Sequence, residues 1–401
     1  MPRAGSIRTR GGTENGVLRV AGLFAGIGGL ELGLSTAGHE TLLLCENDPG
    51  ARAVLSHRFP ESACHIDVRD LQARQFPGGV NLLAAGFPCQ DLSQAGRTAG
   101  IEGDKSSLVG QVFRLLSAHR TPWVLLENVP FMLHLDRGRA MDHVVGQLET
   151  LGYRWAYRVV DAMAFGLPQR RRRVFLVASS VGNPADVLLA DEAEPRGDVP
   201  WHAGVPVGFY WTEGNRGVGW AVGGVPTLKG GSGLGIPSPP AVLLPDGRVV
   251  TPSLASAEQL QGFDAGWSQP AESVVPGRYR WRMVGNAVNV RAARWLGERL
   301  ASPGSFDSSR LSRTIGATQW PTAACNLGDG RRAVAIGEWP KASRPTSLHR
   351  FLVDAALLSA RATEGFVSRA ERAVELGKLK FPVGFLRRLR SHLAAVKAAV
   401  V

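Results

Sequence analysis

The segment Gly86-Phe87-Pro88-Cys89-Gln90 follows the apolar run Val80–Ala85 and sets a lone thiol just beyond a strand-like stretch. Taken alone, an isolated cysteine is a small buried hydrophobe. Here Pro88 stiffens the turn, and the strand end sets Cys89 at the crevice where open α/β sheets bind ligands. A helix starting soon after it would lower the thiol pKa and leave a nucleophile. The next strong run, Trp123–Leu126, ends in Glu127-Asn128-Val129. A carboxylic acid kept protonated by burial at that strand end can hydrogen-bond a ring nitrogen and act as a general acid; the structural alternative is an ion pair with an arginine. Arginines are supplied by Gln169-Arg170-Arg171-Arg172-Arg173, which runs into the apolar stretch Val174–Ala178. Alternation along an entering strand sends Arg171 and Arg173 to the same face, a more demanding arrangement than a solvated basic run.

Three further signals belong to ligand binding. Leu23-Phe24-Ala25-Gly26-Ile27-Gly28-Gly29-Leu30 reads as a strand entering a glycine-rich turn and then a helix, which brings backbone N–H groups close to a ligand. A dinucleotide fingerprint needs a third glycine where this chain has Glu31, so a nicotinamide oxidoreductase is disfavoured. Glu46, beyond the run Thr41–Cys45, can accept both hydroxyls of a ribose, and Asp67, beyond the weak run Ala63–Ile66, can accept from an adenine amino group. Each acid alone equally suits a helix N-cap.

These residues must be carried by elements, and the spacing shows which. The runs Leu18–Phe24, Thr41–Cys45, Val80–Gly86, Trp123–Leu126 and Val174–Ala178 alternate with helical spacing at Gln111–Ser117 and Ala140–Leu151. That is the pattern of an α/β domain with a mostly parallel sheet over residues 18–181. Residues 182–250 are dense in Gly and Pro, hold the isolated Trp201, Trp211 and Trp220, and read as a smaller, loop-rich inserted module. Helical patterning returns at Ser253–Gln261 and Val288–Leu300. Beyond Pro303 lies a Ser-rich linker and a basic, helical tail, with Leu386, Leu389, Leu393 and Val396 as its apolar face and one internal echo, Gly365-Phe366 and Gly384-Phe385.

Composition bounds the function. A chain of 401 residues calls for two or three domains, and 44 % hydrophobic with 20 % charged residues excludes wholesale disorder. No apolar run is long enough to span a membrane, and Arg3, Arg8 and Arg10 lead into no apolar segment of a secretion signal. Four dispersed cysteines without a C-x-x-C fit neither a disulfide framework nor a zinc site, so a cytoplasmic protein without metal is expected. The net charge of +12 points to a polyanionic partner, and residues 301–401, with 16 Lys/Arg against 7 Asp/Glu, hold +9 of it.

In this order, the motifs resemble those of the DNA (cytosine-5) methyltransferase family. The glycine turn resembles its S-adenosylmethionine motif, Glu46 the ribose acid, Asp67-Val68 the Asp-Ile pair at adenine, and Pro88-Cys89-Gln90 the nucleophile loop. Glu127-Asn128-Val129 and Gln169-x-Arg171-x-Arg173 match two further motifs, and Glu258–Phe263 and Gly285-Asn286-Ala287-Val288 are similar to the last two. The resemblance covers about residues 18–300. It implies a class I methyltransferase-like, Rossmann-like doubly wound sheet, with a catalytic and cofactor-binding domain (18–181), an inserted target-recognition domain (182–280) and a return segment completing the cofactor pocket (281–300). Outside the resemblance, a flexible basic N-terminus (1–17) and a basic, helical C-terminal extension (301–401) are expected.

The resemblance implies S-adenosylmethionine as methyl donor, held by Phe24, Gly26, Gly28, Gly29, Glu46, Asp67, Val68, Asn286, Ala287 and Val288. It further implies attack of Cys89 on C6 of a cytosine flipped out of double-stranded DNA, with Glu127, Arg171 and Arg173 as the other catalytic residues. Gln90, Thr227 and Leu228 would touch nucleic acid. The expected setting is a cytoplasmic, nucleoid-associated modification activity, paired with a cognate restriction endonuclease or acting alone. Alternatives are a cytosine in transfer RNA as substrate, or a catalytically silent DNA-binding protein. Loss of Cys89, Glu127 or Arg173 would mark the silent form, and all three are present.

Overall fold

The computed structural model describes residues 16–88, 108–197, 200–212, 218–231 and 236–399. Short, nearly continuous apolar runs form the centre of the molecule because strands covered on both faces need no polar alternation. These are β1 (Arg19–Leu23), β2 (Glu40–Cys45), β3 (Ala63–His65), β4 (Leu82–Ala85) and β5 (Trp123–Asn128), with the longer β6 (Arg154–Asp161) and β7 (Arg172–Ser179). Strands β1 to β5 pair in parallel in the order β3-β2-β1-β4-β5, and β7 enters antiparallel between β5 and β6. The order reverses between β1 and β4, which opens a crevice at the carboxyl ends of the strands.

Helices cover both faces. On one lie α1 (Gly29–Thr36) and, returning from far downstream, α8 (Val290–Ala301); on the other lie α3 (Leu108–His119) and α4 (Arg139–Thr150). Helices α2 (Pro49–Arg58), α5 (Pro184–Leu188), α6 (Leu254–Leu260) and α7 (Arg280–Asn286) complete the layers up to residue 301. Helices α1 and α8 approach closely because small residues face each other: a Cβ added at Gly33 would lie 2.4 Å from the Cβ of Ala293. Among the described residues, no helix is long and apolar enough to cross a membrane.

The C-terminal extension departs from the sequence expectation of a separate helical appendage. Residues 311–334 form β12 (Leu311–Thr314), β13 (Ala323–Asn326) and β14 (Arg331–Val334), and β13 pairs antiparallel with β6, extending the sheet to ten strands. The partner strand β6 is itself interrupted in the sequence by Arg158, which conceals it. The Arg158 side chain is fully buried, and its guanidinium donates to the carbonyls of Gly337 at 2.7 Å and Asp191 at 2.6 Å.

A second sheet is equally discontinuous. Strands β8 (Val207–Phe209), β9 (Ala221–Val222), β10 (Ala241–Leu243) and β11 (Val249–Thr251) come from the loop-rich module. The fifth, β15 (Ala356–Leu357), comes from the tail and sits beside β11. Helices α9 (Ala360–Glu375) and α10 (Phe385–Ala398) cover this sheet. The repeated Gly-Phe pairs explain themselves there: Phe366 and Phe385 are both fully buried, with ring centroids 5.0 and 5.3 Å from that of Phe209. Trp201 and Trp220 pack edge-on against Phe385. On α10 the buried face is Phe385, Leu389 and His392, with Leu386, Leu393 and Val396 only partly covered.

Candidate active site

The glycine turn after β1 is built from unusual backbone. Phe24 has φ of +54°, a left-handed conformation costly for a side chain with a Cβ, and Gly26 and Gly28 follow at +55° and +83°. Gly29 lets another segment cross the turn, since a Cβ there would lie 2.4 Å from the carbonyl oxygen of Val288. The Glu46 carboxylate holds the open side. Its Oε2 accepts from the amide of Gly26 and its Oε1 from the amide of Asp48, both at 2.8 Å. Burial raises the Glu46 carboxyl above the usual range, opposed by the amides of Asp48 and Gly26.

A cavity of about 350 Å³ opens here. Phe24, Gly26, Glu46, Asp67 and Val68 line one part of it, and Asn286, Ala287 and Val288 line another. Gly28 and Gly29 shape the turn without lining the cavity. Asp67 is engaged already: Arg69 donates to it from its amide at 2.9 Å and from its guanidinium, which holds the carboxyl below the usual range. Sequence reading missed Asp48 and Arg282, which close the rim as an ion pair at 2.6 Å. Their partners lie 234 residues apart, and no local pattern connects them.

The same cavity reaches Glu127 and Pro88. Glu127 stands at the carboxyl end of β5 with its carboxyl raised by burial, and the guanidinium of Arg173 lies against it, Nε to Oε1 2.9 Å. Burial in turn lowers Arg173 from the ordinary arginine range. Asn128 donates from Nδ2 to the carbonyl of Phe87 at 3.1 Å, tying the Glu-Asn-Val strand to the turn before Cys89. A Cβ at Gly86 would lie 3.4 Å from Oε2 of Glu127. Cys89 and Gln90 themselves lie outside the described residues.

Arg171 takes a different place from the one expected of a catalytic residue. It is 1 % exposed, does not line the cavity, and donates to the carbonyls of Leu228 at 3.3 Å, Gly285 at 3.2 Å and Ala287 at 2.7 Å. Burial lowers its guanidinium strongly. It is a positioning residue whose guanidinium clamps its own segment to two distant ones, one at Leu228 and one at Gly285–Ala287. Gln169 reinforces the clamp, accepting from the amide of Leu228 at 3.1 Å and donating to the carbonyl of Leu260 at 2.8 Å. Thr227 donates from its hydroxyl to the carbonyl of Arg170 at 2.8 Å. Leu228 is 1 % exposed and packs in the core between the two sheets, so its side chain does not present to nucleic acid; an apolar residue at a domain junction buries there.

Within the ten-stranded sheet, the strands β1 to β7 with β7 antiparallel between β5 and β6, a strained glycine turn and a cavity at the reversal point define the class I methyltransferase fold. Residues 18–198 match the C-5 cytosine-specific DNA methylase family. The chain is 45 % identical over 378 residues to the type II methyltransferase M2.BsuMI of Bacillus subtilis (strain 168), covering 90 % of this chain and 95 % of that protein. It is 34 % identical over 176 residues to the type II methyltransferase M.DsaV of Dactylococcopsis salina, covering 44 % and 50 %. The chain belongs to the C-5 cytosine-specific DNA methylase family, as a DNA (cytosine-5)-methyltransferase. Among solved structures it is similar in fold to the Dnmt2 methyltransferase of S. pombe (TM-score 0.51, 16 % identity, 71 % of this chain and 98 % of that one). It is likewise similar to the methyltransferase EhMeth of Entamoeba histolytica (TM-score 0.52, 14 % identity, 71 % and 97 %).

Proposed function

We propose that this chain methylates C5 of a cytosine flipped out of a specific double-stranded DNA sequence, with Cys89 as the nucleophile, as the modification arm of a restriction-modification system. The observation that carries this reading is the continuity of one cavity from the Phe24–Glu46 turn to Glu127 and Pro88. A methyl donor and a base held at its two ends would meet inside it. The type II names of the relatives support the restriction-modification setting.

S-adenosylmethionine fits the first part of the cavity and supplies a methyl group made electrophilic by its sulfonium. Glu46, fixed by two amides, would accept the ribose hydroxyls, and the 286–288 segment would close over the ligand. At the other end, the Cys89 thiolate would add to C6 of the base, because C5 alone is a poor nucleophile and the adduct is an enamine. Glu127 would hydrogen-bond N3 and the exocyclic amine, aided by the burial that favours its protonated form. Arg173 would hold Glu127 in place. After methyl transfer, loss of the C5 proton and departure of the Cys89 sulfur restore the aromatic ring. Extruding the base costs a few kcal/mol, and the net charge of +12 supplies attraction to phosphates.

The test is transfer of labelled methyl from S-adenosylmethionine to duplex DNA and to transfer RNA, side by side, with Cys89→Ala as control. Label in DNA as 5-methylcytosine, absent in the variant, is the expected result. Label in RNA alone would overturn the substrate, and label in neither would overturn the reading of the site.

A further inference from the structure

Five carboxylates line the cofactor cavity among the described residues, and four are already engaged. Glu46 accepts from the amides of Gly26 and Asp48. Asp48 accepts from the amide of Ala51 and pairs with Arg282. Asp67 is held by Arg69, and Glu127 by Arg173. The fifth is Glu31, the third residue of α1. It is 1 % exposed, and neither of its carboxylate oxygens has a hydrogen-bond partner.

Room has been made for this group. Its side chain turns back onto β1 at Gly22, where a Cβ would lie 2.2 Å from Oε1. A buried carboxyl without a partner is costly to keep, and such groups concentrate where a ligand completes them. Without a cation beside it the group stays protonated: burial, opposed by its own backbone amide and reinforced by like-charge repulsion from Glu46, pushes it up to about 8. Among the described residues, the two cations lining the cavity do not relieve it, since Arg69 and Arg282 are paired with Asp67 and Asp48.

Resting on the reading that this cavity binds S-adenosylmethionine, we propose that Glu31 is the acceptor for the α-ammonium group at the cofactor's amino-acid end. Among the described residues bordering the cavity it is the carboxylate left for a cation, and the ligand carries a cation of matching size. The ammonium keeps its three hydrogens and donates to the carboxylate. The proton held by the free acid goes to the buffer, so binding at pH 7 releases close to one proton per cofactor. Glu31 thereby selects for the free amino acid end of the cofactor, separately from the ribose selection by Glu46.

Calorimetric titration of the full chain and of Glu31→Gln tests this, with S-adenosylmethionine and with its analogue bearing hydrogen in place of the α-amino group. Repeating each titration in buffers of different ionisation enthalpy counts the protons. The wild type should prefer the cofactor over the analogue by about tenfold or more and release a proton, as expected for a hydrogen bond to a charged group. Glu31→Gln should bind the cofactor about tenfold more weakly or worse, bind the analogue as the wild type does, and release no proton. Equal cofactor affinity in both proteins, or a wild type that binds cofactor and analogue alike without proton release, overturns the proposal. Should Glu31→Gln fail to fold, the wild-type comparison of cofactor and analogue decides alone. A wild type that binds neither ligand defeats the cofactor reading of the cavity itself, which is a distinct result.

Discussion

Glu127 and Arg173 are each driven by burial toward their neutral form, and each is held by the other. A buried pair of this kind adds little net stability over an apolar replacement, but removing one member strands the other. Arg173→Ala is therefore expected to lower stability by about 3–5 kcal/mol. The double variant Glu127→Gln, Arg173→Met should regain part of that loss without regaining activity. Urea unfolding of the three proteins, beside methyl-transfer rates, checks both halves, and a double variant as unstable as Arg173→Ala would refute the stranded-charge account. Cys89→Ala is expected to abolish transfer while leaving cofactor affinity close to wild type, since the cofactor residues lie on other elements. Loss of cofactor binding in that variant would show that the Pro88-Cys89-Gln90 loop has been misassigned.

Packing of α1 on α8 decides whether the cavity closes. A Cβ on Gly33 would meet Ala293 Cβ at 2.4 Å, the Arg294 amide nitrogen at 2.6 Å and the Val290 carbonyl oxygen at 2.7 Å. Two of these are backbone and cannot rotate away. Gly33→Ala should cost about 1–3 kcal/mol and displace the neighbouring 286–288 segment, weakening cofactor binding along with it. A melting temperature and a binding isotherm both equal to wild type would contradict this. His39 fastens the same helix pair: its Nδ1 accepts from the amide of Leu18 at 3.0 Å, and its Nε2–H donates to the carbonyl of Gly297 at 2.9 Å. Both bonds together require the neutral ring, and burial lowers its pKa below the ordinary 6.5. Below that value the unfolded chain binds a proton that the folded chain resists. Stability from His39 is thus complete above pH 6.5 and declines as pH falls through it. Urea midpoints measured across that value should show this slope, and His39→Gln should flatten it.

At the scale of the whole molecule, the tail is shared between two bodies of structure. Removing residues 305–401 would strip β12–β14, with the buried Ala323, Ala324 and Cys325, from the sheet and expose the paired edge of β6. That truncation is expected to be insoluble or to lose its cooperative unfolding transition. Ending the chain at residue 355 instead keeps the ten-stranded sheet and removes only β15, α9 and α10 from the second one. Such a protein should still bind cofactor by calorimetry and lose DNA affinity in filter binding. Undiminished DNA binding would show that the second sheet functions without its C-terminal helices. For the full chain, the charge of +12 predicts DNA binding whose log affinity falls steeply and linearly with log salt concentration.

Local patterns in the sequence were enough for the parallel strands and for the residues at their ends. Buried parallel strands are unbroken apolar runs, and Glu46 and Glu127 follow such runs directly, so their placement needs no knowledge of distant contacts. Family resemblance identified the reaction, because the order of these motifs is itself local information. What folding alone decided depends on partners far apart in the chain. Strand β6 was obscured because Arg158 reads as a surface residue until carbonyls at positions 337 and 191 are brought to it. The short strands of the tail carry too little pattern of their own, and their pairing with β6 comes from a segment more than 150 residues earlier. Arg171 looked like a substrate contact and became a clamp once residues 228, 285 and 287 converged on it, and Leu228 became core for the same reason. Glu31 marked only a missing glycine in the sequence. Its solitude among engaged carboxylates is a property of the cavity, which exists only after β1, α1 and the 286–288 segment have packed together.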